Sequence, residues 1–427
     1  MLNIPPFTEP IRRGCPDCGL LQHVPALERG AVAECVRCGR VLRRSRVDPI
    51  RRPLALSVTG LLLLLIALSE PFLRLSIYGY AHTAKFVSGP VELTDYGMPE
   101  LAVVVLATTL LVPISKLLAT VWVLYGVQTG RVSAAMTPVF RVVAWLRPWA
   151  MVEVFLLGLF VAYTKLIELA HIEVGIAVYA LGALVMVMAA ADATIDDETV
   201  WRRLVPKRDA RPVSSDVIAC RSCGLVCDAG EPGCPRCGST LHARKPDSAS
   251  RSWAFVLTAA VLYIPANAFP VLTLVRLGQG QPSTILGGVA QLADAGMWPL
   301  VALVFIASIC VPVFKIAGLT TLLISIRRRS RTRLHTRTII FRIIDAIGRW
   351  SMIDVFMISI LTALVRMGSL ASVYPGVGVI SFCSVVILTM LATASFDPRL
   401  MWDAASERAE PQSAPKAEVL KPALASA

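Results

Sequence analysis

Residues 91–118 read VELTDYGMPELAVVVLATTLLVPISKLL, and residues 290–317 read AQLADAGMWPLVALVFIASICVPVFKIA. Leu93, Asp95, Gly97, Met98, Pro113 and Lys116 align with Leu292, Asp294, Gly296, Met297, Pro312 and Lys315, at a constant offset of 199 residues and without a gap. Each copy opens on an acidic turn, continues as a long apolar run, carries a proline in mid-run and ends near a lysine. A run of about 20 apolar residues spans the roughly 30 Å hydrocarbon layer of a bilayer. Both stretches therefore read as membrane helices, and the rest of the chain reads as a duplication built around them.

The repeat extends outward from this pair. Trp149, Met151, Glu153, Val154 and Phe155 match Trp350, Met352, Asp354, Val355 and Phe356, and Trp201 matches Trp402, now at an offset of 201. Apolar runs near 53–73, 100–125, 148–169 and 172–194 form one set of spans. Runs near 252–273, 298–326, 350–368 and 372–395 form a second. The fold class this predicts is an α-helical multi-pass membrane protein of two tandem four-helix units, each preceded by a small β zinc ribbon. The expected boundaries are 1–47 (first ribbon), 48–196 (first unit), 210–245 (second ribbon), 246–397 (second unit) and 398–427 (a tail disordered by composition). An even number of spans per copy puts both copies in the same orientation. The SIYGYA and AKFVSG segments of the first inter-span stretch are candidates for a short hairpin.

Composition and charge agree with this reading. The chain has 427 residues, 55% of them hydrophobic and 17% charged, with a mean hydropathy of +0.65; this excludes an ordinary soluble domain. The start, MLNIPPFTEPIRRGC, has no apolar core of the signal-peptide kind, so cleavage there is not expected. The net charge of +13 is better placed on membrane-flanking loops than on a nucleic-acid face. Arg327, Arg328, Arg329, Arg331, Arg333, Arg337, Arg342 and Arg349 all lie between the sixth and seventh spans. Short arginine-rich loops stay cytoplasmic. Counting spans from that loop puts both cysteine modules and both termini on the cytoplasmic side.

Eight of the eleven cysteines form Cys-x2-Cys knuckles: Cys15 with Cys18, Cys35 with Cys38, Cys220 with Cys223, and Cys234 with Cys237. Each pair is followed by a glycine, which lets the backbone turn its amides toward the sulfurs. On a reducing side this spacing predicts two structural four-thiolate zinc sites. A thioredoxin-like redox pair would need a βαβ context, which is absent; an iron site is the other alternative. Cys227, inside the second module, reads as a bystander rather than a fifth ligand, and Cys310 and Cys383, within spans, read as small packing residues.

The intramembrane charges are the candidate working groups. At about 1.5 Å per residue, Lys116 lies about 25 Å from the outer start of its span and Glu153 about 7 Å from the inner start of the next. The two depths add to about one membrane thickness. Lys116 and Glu153 are thus expected at one level, as are Lys315 and Asp354, where each acid and base could neutralise one another or exchange a proton. A lysine near the membrane face can also snorkel without function, but the shorter acids cannot. Pro113 and Pro312 each remove a backbone hydrogen bond and mark a kink or hinge. Asp95 and Asp294 read as helix caps. No nucleophile–base constellation, phosphate-cradling loop or catalytic carboxylate pair is evident, so an enzyme is not expected.

Taken in order, the CPDCG, CVRCG, CRSCG and CPRCG knuckles, the DYGM and DAGM turns, VPISK and VPVFK, and WAMVEVF and WSMIDVF resemble the paraquat-inducible protein A family over residues 10–402. The resemblance implies a bacterial inner-membrane protein that loads or drives lipids through a periplasmic tunnel. That tunnel would be built by a mammalian-cell-entry-domain partner, with membrane lipids as cargo and no nucleic acid. It also implies a polar network in the second unit at Lys315 and Asp354, with Asn267, Ser308 and Ser351 as associates and Lys116 and Glu153 in the matching places of the first. No nucleotide-binding motif is present, so the energy input would come from an ion gradient or a partner. The alternative is a non-transporting membrane adaptor whose ribbons dock cytoplasmic proteins; a membrane-tethered nucleic-acid binder is a weaker third reading, resting on charge and ribbons alone.

Overall fold

A computed structural model describes residues 11–28, 30–77, 80–167, 171–206, 217–276, 279–294, 296–365 and 371–407. The first ribbon is two hairpins, β1 (Ile11–Gly14) with β2 (Leu21–Val24) and β3 (Val32–Glu34) with β4 (Val41–Arg44). The first unit then runs α1 (Arg51–Ser69), β5 (Leu73–Ile77), β6 (Tyr80–Ala84), α2 (Ser88–Asp95), α3 (Pro99–Leu106), α4 (Val112–Thr129), α5 (Met136–Leu146), α6 (Val152–Leu166), β7 (His171–Val174), α7 (Ile176–Thr194) and α8 (Asp197–Leu204). The second ribbon contributes β8 (Val217–Ala219) and β9 (Val226–Asp228). The second unit repeats the first: α9 (Ser248–Ala268), β10 (Leu272–Arg276), β11 (Gln279–Ser283), α10 (Ile285–Asp294), α11 (Trp298–Phe305), α12 (Val311–Arg327), α13 (Leu334–Ile347), α14 (Ile353–Leu364), β12 (Ala371–Pro375), α15 (Gly378–Ser395) and α16 (Arg399–Glu407).

Among the described residues, eight helical segments are long and apolar enough to cross a membrane. Leu62, Leu65, Phe160, Met186, Val261 and Ile264 stand exposed on them, as side chains that face lipid should. Each unit carries an antiparallel three-stranded sheet, in the order β6-β5-β7 and β11-β10-β12, at the end opposite the ribbons. The sheets explain why the spans read from sequence run long on that side. LRLSI, HIEV and ASVYP are apolar enough to extend a hydropathy window, and a short apolar run does not tell strand from helix. The first hairpin is LRLSI with YAHTA; AKFVSG lies beyond it and leads into α2. The stretches 126–147 and 327–349 are not plain loops, because each holds an amphipathic helix, α5 or α13. Residues 399–407, assigned to the tail by composition, form α16, which buries Trp402; the rest of the tail lies outside the described residues.

Pro113 and Pro312 enter through a specific device. A π-helical segment, Ala107–Leu111 in one copy and Ile306–Cys310 in the other, precedes each proline. Widening the backbone there relieves the missing N–H without breaking the helix. Asp95 and Asp294 sit at the last positions of α2 and α10. They do not cap the helices that follow, whose first turns have no side-chain cap.

The two units meet through matching helices. α6 packs on α14, the Phe155 and Phe356 rings meet edge to face at 5.9 Å, and Glu153 bonds Arg349 at 2.9 Å. All twelve residues of α14 are buried. This approach depends on Gly158, where a Cβ would stand 3.0 Å from Phe356 Cβ and 3.2 Å from the Ile353 carbonyl oxygen. On the sheet side, α2 also lies on α14, with Gly89 so close that a Cβ would meet the Ser359 backbone oxygen at 2.9 Å.

Replacing Gly158 with leucine should therefore lower the apparent Tm of the purified chain and reduce its folded yield. Forced overpacking costs about 1–3 kcal/mol or more. Gly182→Leu on α7, where a Cβ meets nothing within 4 Å, should leave both unchanged. Size-exclusion profiles recorded after graded heating compare the two.

Candidate functional site

In each ribbon the knuckle glycines, Gly19, Gly39, Gly224 and Gly238, have φ of +76°, +66°, +76° and +71°. The left-handed turn lets each amide donate to the carbonyl of the knuckle's first cysteine at 2.8–3.0 Å and folds the two thiols of a knuckle inward. Cys15, Cys18, Cys35 and Cys38 bring their four sulfurs within 4.8 Å of one another, as do Cys220, Cys223, Cys234 and Cys237. The cross-knuckle pairs lie 3.4–3.6 Å apart. That is too far for a disulfide and near the edge of about 3.8 Å expected of a tetrahedron with 2.3 Å metal–sulfur bonds. Each tetrad fits one tetrahedral metal ion. Cys227 packs beside the second tetrad, outside this quartet.

The cysteine core of each ribbon packs on the unit it does not precede, although Arg244 at the end of the second ribbon also forks onto Asp403 of α16 in its own unit. The first ribbon's cysteines cluster with Trp402 of α16. Arg342 of α13 donates to Asp17 Oδ2 at 2.7 Å and to the Cys38 carbonyl at 3.0 Å, and the Arg37 guanidinium lies 4.3 Å from the Trp402 ring centre. The second ribbon's cysteines cluster with Phe140 of α5 and Trp201 of α8. Arg236, in the place matching Arg37, forks onto Glu198 of α8 at 2.9 and 3.1 Å and reaches the Cys223 carbonyl at 2.6 Å. Burial raises the Glu198 pKa, but the Arg236 bonds outweigh it and hold the carboxyl below its ordinary range. Each ribbon's cysteine core thus packs on the other copy's unit, and the two ribbons touch through β1 against β8 and β9.

The intramembrane charges part company with the pairing expected from depth. Lys116 does not meet Glu153; its Nζ bonds Asp192 Oδ2 on α7 at 2.6 Å. Glu153 meets Arg349 of the other unit instead. The position matching Asp192 in the second copy is Thr393, which bonds back to its own helix. Lys315, fully buried, consequently has no carboxylate within ion-pair distance among the described residues. It makes one long contact, 3.5 Å to the Gly348 carbonyl, and the charge it senses is Asp345 rather than Asp354.

Asp354 is buried with Oδ2 unbonded, and the hydroxyls of Ser308 and Ser351 are also unbonded. Ser308, on the π-helical segment, faces Asp354, and the cation that Asp354 senses is Lys165 of α6. Asn267 is not joined to this group; its amide bonds the Tyr263 carbonyl one turn back. Asp345, Lys315, Ser351, Ser308, Asp354 and Lys165 therefore follow one another from the ribbon side toward the sheet side. Helix depth pointed to Lys315 and Asp354, and the family resemblance added Ser308 and Ser351. Lys165 was legible only as a basic position repeated in both copies, Lys165 and Arg366, and Asp192 only as an acid that the second copy lacks.

If each ribbon holds the opposite unit, removing one metal should loosen elements far away in sequence. Cys18→Ser should open α16 to trypsin at Arg399 while leaving α8 protected; Cys223→Ser should expose α8 and spare α16. Limited proteolysis with fragment masses reads this out, and metal analysis of the native chain should return about two ions per chain.

The profile described as paraquat-inducible protein A matches residues 50–205 and 249–406, one copy on each unit. The chain is 34% identical to Escherichia coli K12 "Intermembrane transport protein PqiA", over 91% of this chain and 95% of the relative. It is 32% identical to "Lipophilic envelope-spanning tunnel protein A" of the same strain, over 91% of each chain. A Haemophilus influenzae "Probable intermembrane transport protein" is 24% identical over 91% of this chain and 95% of the relative. No solved structure matches the chain significantly. With its profile matched on both units and relatives aligned almost end to end, the chain belongs to the paraquat-inducible protein A family.

Proposed function

We propose that the chain is the inner-membrane component of an intermembrane lipid-transport system, and that its second unit is the working one. Its relatives carry the names intermembrane transport protein and lipophilic envelope-spanning tunnel protein A, which supports movement of apolar cargo between membranes. The partner in this reading is a mammalian-cell-entry-domain protein forming the periplasmic tunnel. The ribbons and both termini face the cytoplasm, where the arginines of 327–349 would hold them, and the thiolate quartets hold zinc.

The observation that carries the reading is the unequal treatment of matching charges. In the first unit Lys116 and Glu153 each have an oppositely charged partner. In the second, Lys315 and Asp354 are buried without one. An unpaired charge in a membrane interior is costly and supports a group that exchanges partners or protons during a cycle. Pro312 and the π-helical segment before it give α12 a place to flex beside Ser308. The adaptor reading is weaker, because the cysteine core of each ribbon is already packed on the chain's own helices.

Asp354→Asn and Lys315→Met should each abolish rescue of an envelope-sensitive deletion strain while the protein still accumulates. Thr393→Asp, which offers Lys315 the partner that Lys116 has, should raise the apparent Tm and also abolish rescue. Lys116→Met should lower the Tm with rescue partly kept. Full rescue by both Asp354→Asn and Lys315→Met would refute a working site in the second unit.

A further inference from the structure

The near-twofold relation between the units fails at one contact, and a cavity lies there. α2 closes on α14 through Gly89, against Ser359. The matching contact would bring α10 onto α6 through Gly288, in the place of Gly89. It stays open: a Cβ on Gly288 would meet only Ser283 of its own unit, at 3.6 Å. The opening is a cavity of about 470 Å³ between α6 of the first unit and the sheet and α10 of the second, within the range that holds small ligands.

Its chemistry is divided. Leu274, Leu361 and neighbouring aliphatic side chains form the walls, and Gln279, Gln281 and Gln291 stand exposed near the opening. Among the described residues, Lys165 is the one cation on the lining. It sits thirteen residues into α6, about 20 Å from that helix's ribbon-side start, next to the sheet-side end, at Leu166, of the apolar segment Met136–Leu166. No ion pair involves Lys165 among the described residues; the carboxylate it senses is the buried Asp354.

We propose that this cavity is a phospholipid site in which the Lys165 ammonium binds the headgroup phosphate, the glutamines bind the polar ester and headgroup atoms, and the aliphatic walls take the start of the acyl chains. A phosphate supplies the charge the lysine lacks, and a charge-assisted bond in a water-poor site is stronger than a neutral one. The acyl chains have a way in because the unclosed α10–α6 contact leaves the cavity open where α2 and α14 seal theirs. The assignment rests on the lipid-transport reading for its cargo class and adds which lipid atoms are held, and where.

The test uses the purified full chain, stripped of lipid in detergent, with bound lipid counted by native mass spectrometry. Dioleoylphosphatidylglycerol should be retained and dioleoylglycerol, with the same chains and no phosphate, should not. Lys165→Gln should cut retention about tenfold or more, as expected for losing a hydrogen bond to a charged group, and Lys165→Arg should keep it. Gly288→Leu, which fills the opening without touching the charge, should also cut retention, with Tm measured for every variant. Equal retention by Lys165→Gln, equal retention by Gly288→Leu, or equal binding of dioleoylglycerol would each overturn the proposal. Displacement of the lipid by an equal concentration of inorganic phosphate would overturn it too, in favour of a free-phosphate site. Because binding is measured without transport, a chain that binds lipid through Lys165 yet moves none keeps this site and loses only the transport reading.

Discussion

The joint between the two membrane units depends on how closely α6 can approach α14. The absence of a side chain at Gly158 lets the two backbones come near enough for Phe155 and Phe356 to interlock. In lipid there is little hydrophobic drive between helices, so association rests on such close packing and on the few polar bonds that cross it. The Glu153–Arg349 bond is one of these. α14 is buried along its whole length as a result, and the polar groups it carries are shut away from water.

Two copies of one design have thus been made unequal by small changes. Asp192 neutralises Lys116, while Thr393 leaves Lys315 with a carbonyl at 3.5 Å. Gly89 is pressed against α14, while Gly288 stands free of α6. Both differences fall in or beside the second unit, and they lie on one course, from Lys315 on the ribbon side through Ser308 and Asp354 to Lys165 at the cavity. A change of charge at Asp354 would be felt by Lys165, and through it by whatever occupies the cavity. Coupling of this kind needs no long mechanical linkage, because opposite charges in a poorly solvated core interact strongly over several ångströms.

Much of this was legible in the sequence because duplication repeats its own signals. Cysteine spacing gave the metal quartets, and the constant offset gave the two units. What the sequence concealed follows from the limits of each signal. Hydropathy counts most of HIEV and ASVYP as membrane helix because it measures apolarity and not backbone shape. Helix depth placed Lys116 and Glu153 at one level but carried no information about rotation, so it could not show that Lys116 turns toward α7 and Glu153 toward the other unit. The exchange of ribbons left only indirect marks: an arginine in the third knuckle position of each ribbon, Arg37 and Arg236, and a tryptophan after each last span, Trp201 and Trp402.

That exchange has a consequence for how the chain is made. The first ribbon is complete once about forty residues have been synthesised, but its seat is built from Arg342 of α13 and Trp402 of α16, near the other end. The earliest segment to acquire a metal can at first meet only the second ribbon, through β1 against β8 and β9, and its Arg342 and Trp402 seat is completed only when almost the whole polypeptide has been inserted. Two separate half-length chains, each with a ribbon and four spans, would reach the same arrangement only by pairing, each covering the other. The single chain is organised like such a pair joined end to end, and its ring of contacts closes only when the last helix arrives.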